Sequence, residues 1–381
     1  MRIAVIAHAL RGGGGISVGT NLISSLQKVR PGNEYLLTMP SGVGYEAITC
    51  LPSTRKFYYD RKGGTLGRWC FDTFQLPRMI SDFHPDLVLC LGNRGVRYDR
   101  CPIVILCHDP HLFYPEKHYA NETWFNKAVK RYNKWALVRE SRRAALMLFQ
   151  TETAAARARD SLGYTGALAI CPNAVSQAVE NTSGKTEMPQ ALLPFKDKRK
   201  LFCLTRYYTH KNLEIITEMF SRFRDELENT VVILTITADQ HPLAARLLLD
   251  IKRRGLEDCV INVGPLPQTE LAAYYQNCDA LFLPTLLESF SGTYLEAMRF
   301  GRPIITSDLD FAHDVCGDAA IYFDPWNAES IKSEILRLQE NGELRKKLTE
   351  SGKKRLISLF RSWDEIAVEL TVHIETLVQL K

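Results

Sequence analysis

The sequence lacks three features that would each mark a whole class of protein. No apolar run approaches the roughly 18 residues that a membrane-spanning helix needs, so we expect no membrane span. Strong charge of one sign is absent too: the formal net charge is +5, which is too mild to predict a nucleic-acid partner. With 45% hydrophobic and 24% charged residues over 381 positions, the chain has the balance of a globular protein long enough for two domains.

The third missing feature is a cysteine pair. The chain has ten cysteines, but none of them form a Cys-x-x-Cys motif. They are scattered, and most lie in apolar runs typical of strands, so we interpret them as buried free thiols rather than disulfides or zinc ligands. This pattern predicts a reducing compartment, and we expect a cytoplasmic protein.

A run of four glycines, Gly12 to Gly15, lies between an apolar strand and apolar residues at helical spacing. Strand, glycine loop and helix are the typical opening of a Rossmann-like domain. The run matches neither the dinucleotide fingerprint Gly-x-Gly-x-x-Gly nor the P-loop, whose lysine is absent. Two interpretations stay open. Gly14 and Gly15 could let the backbone approach a ligand closely, or the run could be a merely flexible turn.

A second stretch, residues 280–306, predicts strand, loop, helix and strand. Thr293, with Glu296 three residues on, has the capping-box spacing of a helix start. The loop after a parallel strand lies at the carboxyl edge of the sheet, where open α/β folds bind ligands. Free amides at a helix start suit a phosphate, whereas Glu288 and Glu296 would accept hydrogen bonds from hydroxyls. The combination predicts a sugar nucleotide, with one carboxylate on a ribose and one on a hexose.

Basic and imidazole side chains are predicted at the same kind of sheet edge. Arg206 and Lys211 follow an apolar strand, and two cations on one strand–helix loop suit a leaving diphosphate. His108 ends another strand, so it is a site candidate rather than a core residue. We interpret the nearby His111 and His118 as loop residues.

These features together resemble the retaining glycosyltransferases of family 4, in the right order along nearly the whole chain. The resemblance is carried by the glycine loop, His108, the Arg206-x4-Lys211-Asn212 motif, the Glu288-x7-Glu296 motif and the Ala-x-x-x-Gly-x-Pro-Ile tail from Ala297 to Ile304. One departure concerns the donor: Ser291 replaces a glycine whose amide faces the donor in the family.

The resemblance implies an α/β GT-B fold with two Rossmann-like domains facing a cleft. The implied parts are an acceptor-binding domain over 1–175, a linker over 176–199, a nucleotide-sugar-binding domain over 200–360, and a last helix over 361–381 that crosses back to the first domain. It also implies a retaining, metal-independent hexosyltransferase. The donor would be a nucleoside diphosphate sugar and the acceptor a glycan or a lipid-linked molecule, in bacterial surface polysaccharide synthesis.

The resemblance assigns roles to individual residues. The implied catalytic residues are Glu288, His108, Arg206 and Lys211. The implied donor-binding residues are Gly14, Gly15, Ser291, Gly292, Thr293 and Glu296. Glu288 would hold the sugar and Glu296 the ribose. No metal or other cofactor is expected, and Asp308-x-Asp310 is not predicted to bind metal because it follows a late strand.

Other interpretations stay open. A GT-B nucleotide-sugar epimerase would need an acid and a base flanking the hexose, and a non-catalytic sugar-nucleotide-binding protein would need neither.

The predicted helix over 124–143 combines an aromatic stripe with many lysines and arginines. It predicts either weak peripheral contact with the anionic inner face of a membrane or a solvated outer face. Residues 40–67 show no periodic pattern and are predicted to form a loop. The Asn181-Thr-Ser sequon is interpreted as idle.

Overall fold

The computed structural model describes residues 1–60, 63–119, 122–180 and 184–380, so the Asn181 sequon lies outside the described residues. The chain divides into two compact units. The first comprises Met1–Tyr114, Thr123–Ala174 and the C-terminal stretch from Arg361, and the second comprises Pro115–Glu122 and Val175–Phe360. Each unit is built on a parallel sheet with Rossmann-type strand order, which confirms the predicted α/β class with two Rossmann-like domains.

The first unit has a seven-stranded sheet of order β3-β2-β1-β4-β5-β6-β7. Its helices and strands are β1 (Arg2–Ile6), α1 (Gly13–Val29), β2 (Glu34–Pro40), β3 (Arg55–Tyr59), α2 (Gly64–Cys70), α3 (Leu76–Phe83), β4 (Leu87–Cys90), β5 (Ile103–Cys107), α4 (Trp124–Ser141), β6 (Leu146–Phe149), α5 (Glu152–Leu162), β7 (Leu168–Ile170) and α14 (Trp363–Gln379). The central strands are buried along nearly their whole length because helices cover both faces of the sheet.

The last helix packs on the first unit. It starts with a capping box, in which the Ser362 hydroxyl accepts from the backbone N–H of Glu365 and the Glu365 carboxylate accepts from that of Ser362. Its apolar residues recur every three or four positions and join the same core as α1; they are Trp363, Ile366, Ala367, Leu370 and Ile374. Ion pairs of Lys28 with Asp364 and of Arg30, the residue after α1, with Glu375 flank this contact.

The second unit has a six-stranded sheet of order β10-β9-β8-β11-β12-β13. Its helices and strands are α6 (Gln177–Glu180), β8 (Arg199–Cys203), α7 (Glu214–Phe223), β9 (Thr230–Leu234), α8 (Pro242–Arg253), β10 (Val260–Asn262), α9 (Leu271–Asn277), β11 (Ala280–Leu283), α10 (Gly292–Arg299), β12 (Ile304–Ser307), α11 (Asp310–Cys316), β13 (Ala320–Phe323), α12 (Ala328–Glu340) and α13 (Gly342–Leu359). The strand order reverses between β8 and β11, so a doubly wound crevice opens at their carboxyl ends.

One prediction about the first unit is wrong. Residues 40–67 contain β3 and the start of α2, rather than a loop alone. Within the described residues, strand β3 pairs only with β2 at the edge of the sheet, and its residues are mostly exposed or half-buried. An edge strand of this kind has no strong apolar pattern, which is why periodicity alone does not reveal it.

All ten cysteines are free thiols and eight of them are buried. No helix of the described residues is long and apolar enough to cross a membrane.

Candidate active site

The site is built where the strand order of the second unit reverses. Strands β8 and β11 are direct neighbours, with Leu201 paired to Ala280 and Phe202 to Leu281. Because both strands run in the same direction, the chain leaves them at the same edge of the sheet. The segment after β8 carries Arg206 and Lys211, and the segment after β11 carries Glu288. The fold therefore brings these two predicted groups to one edge.

Lys211 and Glu288 form an ion pair between Nζ and Oε1. Their side chains are only 14% and 13% exposed, so solvent screens this pair less than an ion pair on the surface. Arg206, by contrast, is exposed and has no ion-pair partner in the part of the chain that the structure describes. The site thus holds one cation that is already neutralised and one that is available to an anion.

The backbone conformation of Asn212 explains why the residue after Lys211 is an asparagine. It ends the 3₁₀ turn Thr209–Lys211 in the left-handed region, with φ 56°, which asparagine tolerates better than most residues. Its side-chain Nδ2 donates to the carbonyl of Pro325 at 2.7 Å. Asn212 therefore fixes the turn from which Lys211 projects.

The loop that carries Glu288 is fastened to the same turn. The Leu286 amide donates to the His210 carbonyl at 2.7 Å. The Leu286 carbonyl in turn accepts from Nδ1 of His118 at 2.9 Å, which places the proton of that imidazole on Nδ1. The hydroxyl of Thr285 also donates to the His210 carbonyl at 3.3 Å. These bonds fix the backbone two residues before Glu288.

The interpretation of His118 as a loop residue misses its structural role. It lies in the 3₁₀ helix Glu116–Tyr119, which belongs to the second unit, and it is only 4% exposed. Its ring lies 6.3 Å from that of Trp326. A few residues later, Glu122 accepts a hydrogen bond from the Thr209 hydroxyl at 3.0 Å. No local pattern could reveal these contacts, because they join residues that are 87 or more positions apart.

Helix α10 starts two residues earlier than the capping-box spacing predicts. Its N-cap is Ser291 and its first residue is Gly292, so Thr293 lies inside the first turn. The Ser291 hydroxyl bonds to that of Thr293 at 2.9 Å and does not cap the backbone. The amides of the first turn consequently lack a side-chain cap, and a Cβ added to Gly292 would meet nothing within 4 Å. An anion could approach these amides directly.

Glu296 does not complete the predicted capping box because its carboxylate has another partner. Its Oε2 accepts from the hydroxyl of Tyr275 at 2.9 Å. Tyr275 is buried, stacks on Phe300 and meets Phe202 edge-on. Burial raises the pKa of Glu296 to about 7, and the Tyr275 hydrogen bond acts in the opposite direction. Glu296 therefore changes charge near neutral pH.

The predicted residues of the first unit also meet one another. A Cβ added to Gly15 would lie 3.6 Å from Cε1 of His108. The Asn93 side chain accepts from the backbone N–H groups of His108 and Asp109, at 2.6 and 2.8 Å, and so fixes the end of β5. Burial lowers the pKa of His108 to about 4 against the effect of Asp109, so its imidazole is neutral at pH 7. His111 follows in a 3₁₀ turn, with its ring bonded to Asp109.

The glycine run is neither a free linker nor a long loop. Gly12 is the N-cap of α1, and Gly13 to Gly15 form the first turn of that helix. A Cβ added to Gly14 would meet nothing within 4 Å, so the backbone there is open to approach. Gly19, one turn further on, is a glycine for a different reason: a Cβ added there would lie 2.0 Å from the Tyr45 hydroxyl oxygen and overlap it.

Asp308 and Asp310, the aspartates of the Asp-x-Asp motif, both form hydrogen bonds within the protein. Asp308 bonds to the ring of His313 at 2.6 Å, and Asp310 accepts from the backbone N–H of Phe311. No group of three or more histidine, cysteine, aspartate or glutamate side chains that could hold a metal ion occurs among the described residues. The expectation of a metal-free reaction stays a prediction.

Comparisons with known proteins agree with this architecture. The family described as "Glycosyl transferases group 1" matches residues 184–355. Among curated relatives, MMP alpha-(1->4)-mannosyltransferase of Mycolicibacterium hassiacum is 28% identical over 122 residues, which are 31% of this chain and 29% of that protein. O-antigen chain mannosyltransferase B of Escherichia coli is 28% identical over 102 residues, 27% of each chain. The matches thus span less than a third of these two relatives.

Solved structures extend the likeness to the whole chain. Sucrose-phosphate synthase from Thermosynechococcus elongatus superimposes with a TM-score of 0.79 at 15% identity, covering 100% of both chains. Anabaena HepE, solved in complex with UDP, gives 0.73 at 14% identity, covering 99% of this chain and 100% of that one. The shared fold and the match over 184–355 confirm the predicted GT-B fold and the resemblance to the family 4 glycosyltransferases.

Proposed function

We propose that this chain is a retaining, metal-independent glycosyltransferase. It moves a hexose from a nucleoside diphosphate sugar to a glycan or lipid-linked acceptor in bacterial polysaccharide or glycolipid synthesis. The observation that carries the proposal is the convergence of Arg206, Lys211, Glu288 and the uncapped start of α10 at the reversal point of one sheet. The mannosyltransferases among the relatives and the UDP bound to HepE support this class of donor.

The first chemical task is to stabilise the departing diphosphate. Negative charge grows on its oxygens as the bond to the anomeric carbon breaks, and fixed donors aimed at that charge lower the barrier. Arg206 and Lys211 would supply two cations, and the amides of Gly292 and Thr293 would supply uncapped donors. These groups would do the work that a divalent metal does in other sugar-nucleotide enzymes. Since Lys211 is paired with Glu288, a bound diphosphate must compete with that carboxylate for the ammonium group.

The remaining residues would hold the two sugars of the donor. Glu296 would accept hydrogen bonds from the ribose hydroxyls. Glu288 would contact the hexose, where its negative charge would oppose the positive charge that develops at the anomeric carbon. The resemblance assigns His108 to a hydrogen bond near this sugar, and its lowered pKa means that it acts as a neutral donor or acceptor. Gly14 and Gly15 would give the backbone close access.

A panel of UDP-, GDP- and dTDP-sugars tests the proposal. We expect one donor to raise the melting temperature of the protein and to be hydrolysed slowly when no acceptor is present. Arg206→Met should weaken this donor effect. Arg253→Met is the matched control, because Arg253 is an exposed cation at the end of α8 in the same unit. If no nucleotide sugar is bound by the wild type, the proposal is wrong. Conversion of the donor to an epimer instead of transfer would favour the epimerase.

We also propose weak contact with an anionic membrane through α4. The aromatic stripe of this helix is exposed, with Trp124 at 80%, Trp135 at 57% and Tyr132 at 53%. Lysines and arginines occupy much of the same helix, and amphipathic aromatic rings with basic neighbours are typical of the bilayer interface. Sedimentation with liposomes should show salt-sensitive binding to phosphatidylglycerol vesicles and little to phosphatidylcholine. Equal binding to both would contradict this part of the proposal.

A further inference from the structure

The second unit includes one short segment whose neighbours in sequence belong to the first unit. This segment, Pro115–Glu122, lies between β5 and α4, and we call it the clasp. It contains the 3₁₀ helix Glu116–Tyr119, in which His118 and Tyr119 are only 4% and 7% exposed. Ordering such a segment costs conformational entropy. Its buried contacts with the second unit must offset that cost.

The first contact of the clasp is with the loop that carries Glu288. Nδ1 of His118 donates to the Leu286 carbonyl at 2.9 Å, two residues before Glu288. Both His118 and Leu286 are buried. A buried carbonyl that loses its hydrogen-bond donor is costly, so this bond holds the loop against the clasp.

The second contact of the clasp is with the turn that carries Lys211. Oε1 of Glu122 accepts from the Thr209 hydroxyl at 3.0 Å. Thr209 is buried and is the first residue of the 3₁₀ turn that ends at Lys211. A hydrogen bond to an ionised acceptor is stronger than one between neutral groups, and Glu122 is half-buried. Glu122 therefore holds the turn from which Lys211 projects.

The turn and the loop are also bonded to each other. The Leu286 amide donates to the His210 carbonyl at 2.7 Å, and Lys211 forms its ion pair with Glu288. Leu286 thus uses its N–H on the turn and its carbonyl on the clasp. Three segments that are far apart in sequence hold one another through these bonds.

A fourth segment closes a ring of contacts around the ion pair. Asn212, the residue after Lys211, donates to the carbonyl of Pro325 at 2.7 Å. The next residue, Trp326, places its ring 6.3 Å from that of His118 in the clasp. The turn is consequently fixed by Glu122 at one end and by Pro325 at the other.

We propose that Glu122 is a positioning residue of the donor site, and that the clasp fixes the backbones from which Lys211 and Glu288 project. The inference rests on the proposed function for the roles of those two side chains. Groups that act on charge developing in a transition state need a fixed geometry, and an error of about 1 Å in their placement can cost about two orders of magnitude in rate. Loss of the clasp contact should therefore lower kcat more than it raises the donor KM.

Hydrogen exchange of the Leu286 amide tests the clasp without any substrate, because the acceptor of this amide lies in the turn that Glu122 holds. Glu122→Ala and Thr209→Val each remove one partner of the same bond, and each should speed the exchange about tenfold. The double variant should exchange no faster than the faster single variant. Glu122→Gln keeps an oxygen acceptor and should exchange nearly as slowly as the wild type. Glu228→Ala, on an exposed glutamate of the same unit, is the control.

Slow hydrolysis of the nucleotide sugar that the donor panel identifies tests the link to turnover. Glu122→Ala should lower kcat about tenfold with a smaller change in KM, and Glu122→Gln should recover most of the loss. Unchanged Leu286 exchange in Glu122→Ala, additive effects in the double variant, a change in KM alone or equal kcat losses in the two Glu122 variants would each overturn the inference. If the exchange changes as expected but the wild type binds no nucleotide sugar, the clasp contacts stand and the transferase proposal falls.

Discussion

Glu296 offers a test that needs no substrate. Its carboxyl group has a pKa of about 7 in the folded protein, raised by burial from an ordinary value of 4.5. Glutamine has nearly the same shape, stays uncharged at every pH and can still accept the Tyr275 hydrogen bond. Glu296→Gln should therefore remove the free-energy cost of burying the charge while leaving the packing in place.

The sign and size follow from proton linkage. Below about pH 4.5 the carboxyl is protonated in both the folded and the unfolded state, so it adds no pH dependence there. As pH rises from about 4.5 to about 7 the unfolded state loses its proton while the folded state keeps it, so folded stability falls and then levels off once both states are ionised. The rise of the Glu296 pKa from 4.5 to about 7 corresponds to about 3 kcal/mol. The advantage of glutamine over glutamate should thus grow by about 2 kcal/mol between about pH 5 and pH 8.

Hydrogen exchange measures this difference in the correct unit. Two units can unfold separately, so a single melting curve does not isolate the second one. The amides of β8 and β11 belong to the second unit and report its opening. They should be protected more strongly in Glu296→Gln than in the wild type at about pH 8, and much less so at about pH 5. Glu350→Gln, on an exposed glutamate of α13, is the control. A stability difference that does not change with pH would refute the reasoning.

Three further predictions concern turnover. Glu288→Ala should lower kcat by about two orders of magnitude or more, with little recovery in Glu288→Gln, because the charge acts mainly in the transition state. Glu296→Ala should instead mainly raise the donor KM. The reverse pattern in steady-state kinetics would contradict both roles. Turnover should persist in excess EDTA, so a loss on chelation that Mn²⁺ restores would contradict the charge assignment. His118→Phe should lower kcat about tenfold because the Leu286 carbonyl loses its hydrogen-bond donor. His118→Asn, whose side-chain amide can donate, should retain more activity. Equal losses of kcat in the two variants would argue against a positioning role for His118.

Local patterns in the sequence were enough to predict much of the fold. The apolar runs of the inner strands stand out because both sheet faces are covered. Once a doubly wound order is assumed, the loops after two neighbouring strands must meet, and this assumption places Lys211 near Glu288. The order of the strands, rather than the spacing of the residues, brings together side chains 77 positions apart.

Sequence patterns failed where a residue had two compatible partners. Thr293 and Glu296 have the spacing of a capping box, yet Thr293 bonds to Ser291 and Glu296 to Tyr275. A buried tyrosine hydroxyl needs an acceptor, and the glutamate supplies it. Tyr275 lies 21 residues before Glu296, so no helical rule links them. The same holds for Asn93, whose side chain fixes His108 from 15 residues away.

The ion pair of Lys211 and Glu288 changes what the sequence implies about the candidate site. The resemblance gives these residues different partners, the diphosphate and the sugar. In the structure they neutralise each other in a half-buried place, where two unpaired charges would be costly. The donor that we propose would supply replacement partners for both: its phosphate oxygens for the ammonium and its hexose hydroxyls for the carboxylate. A ligand with only one of these parts would leave one charge unpaired. Under the proposed function, the pair would therefore favour an intact nucleoside diphosphate sugar over nucleotide or sugar alone.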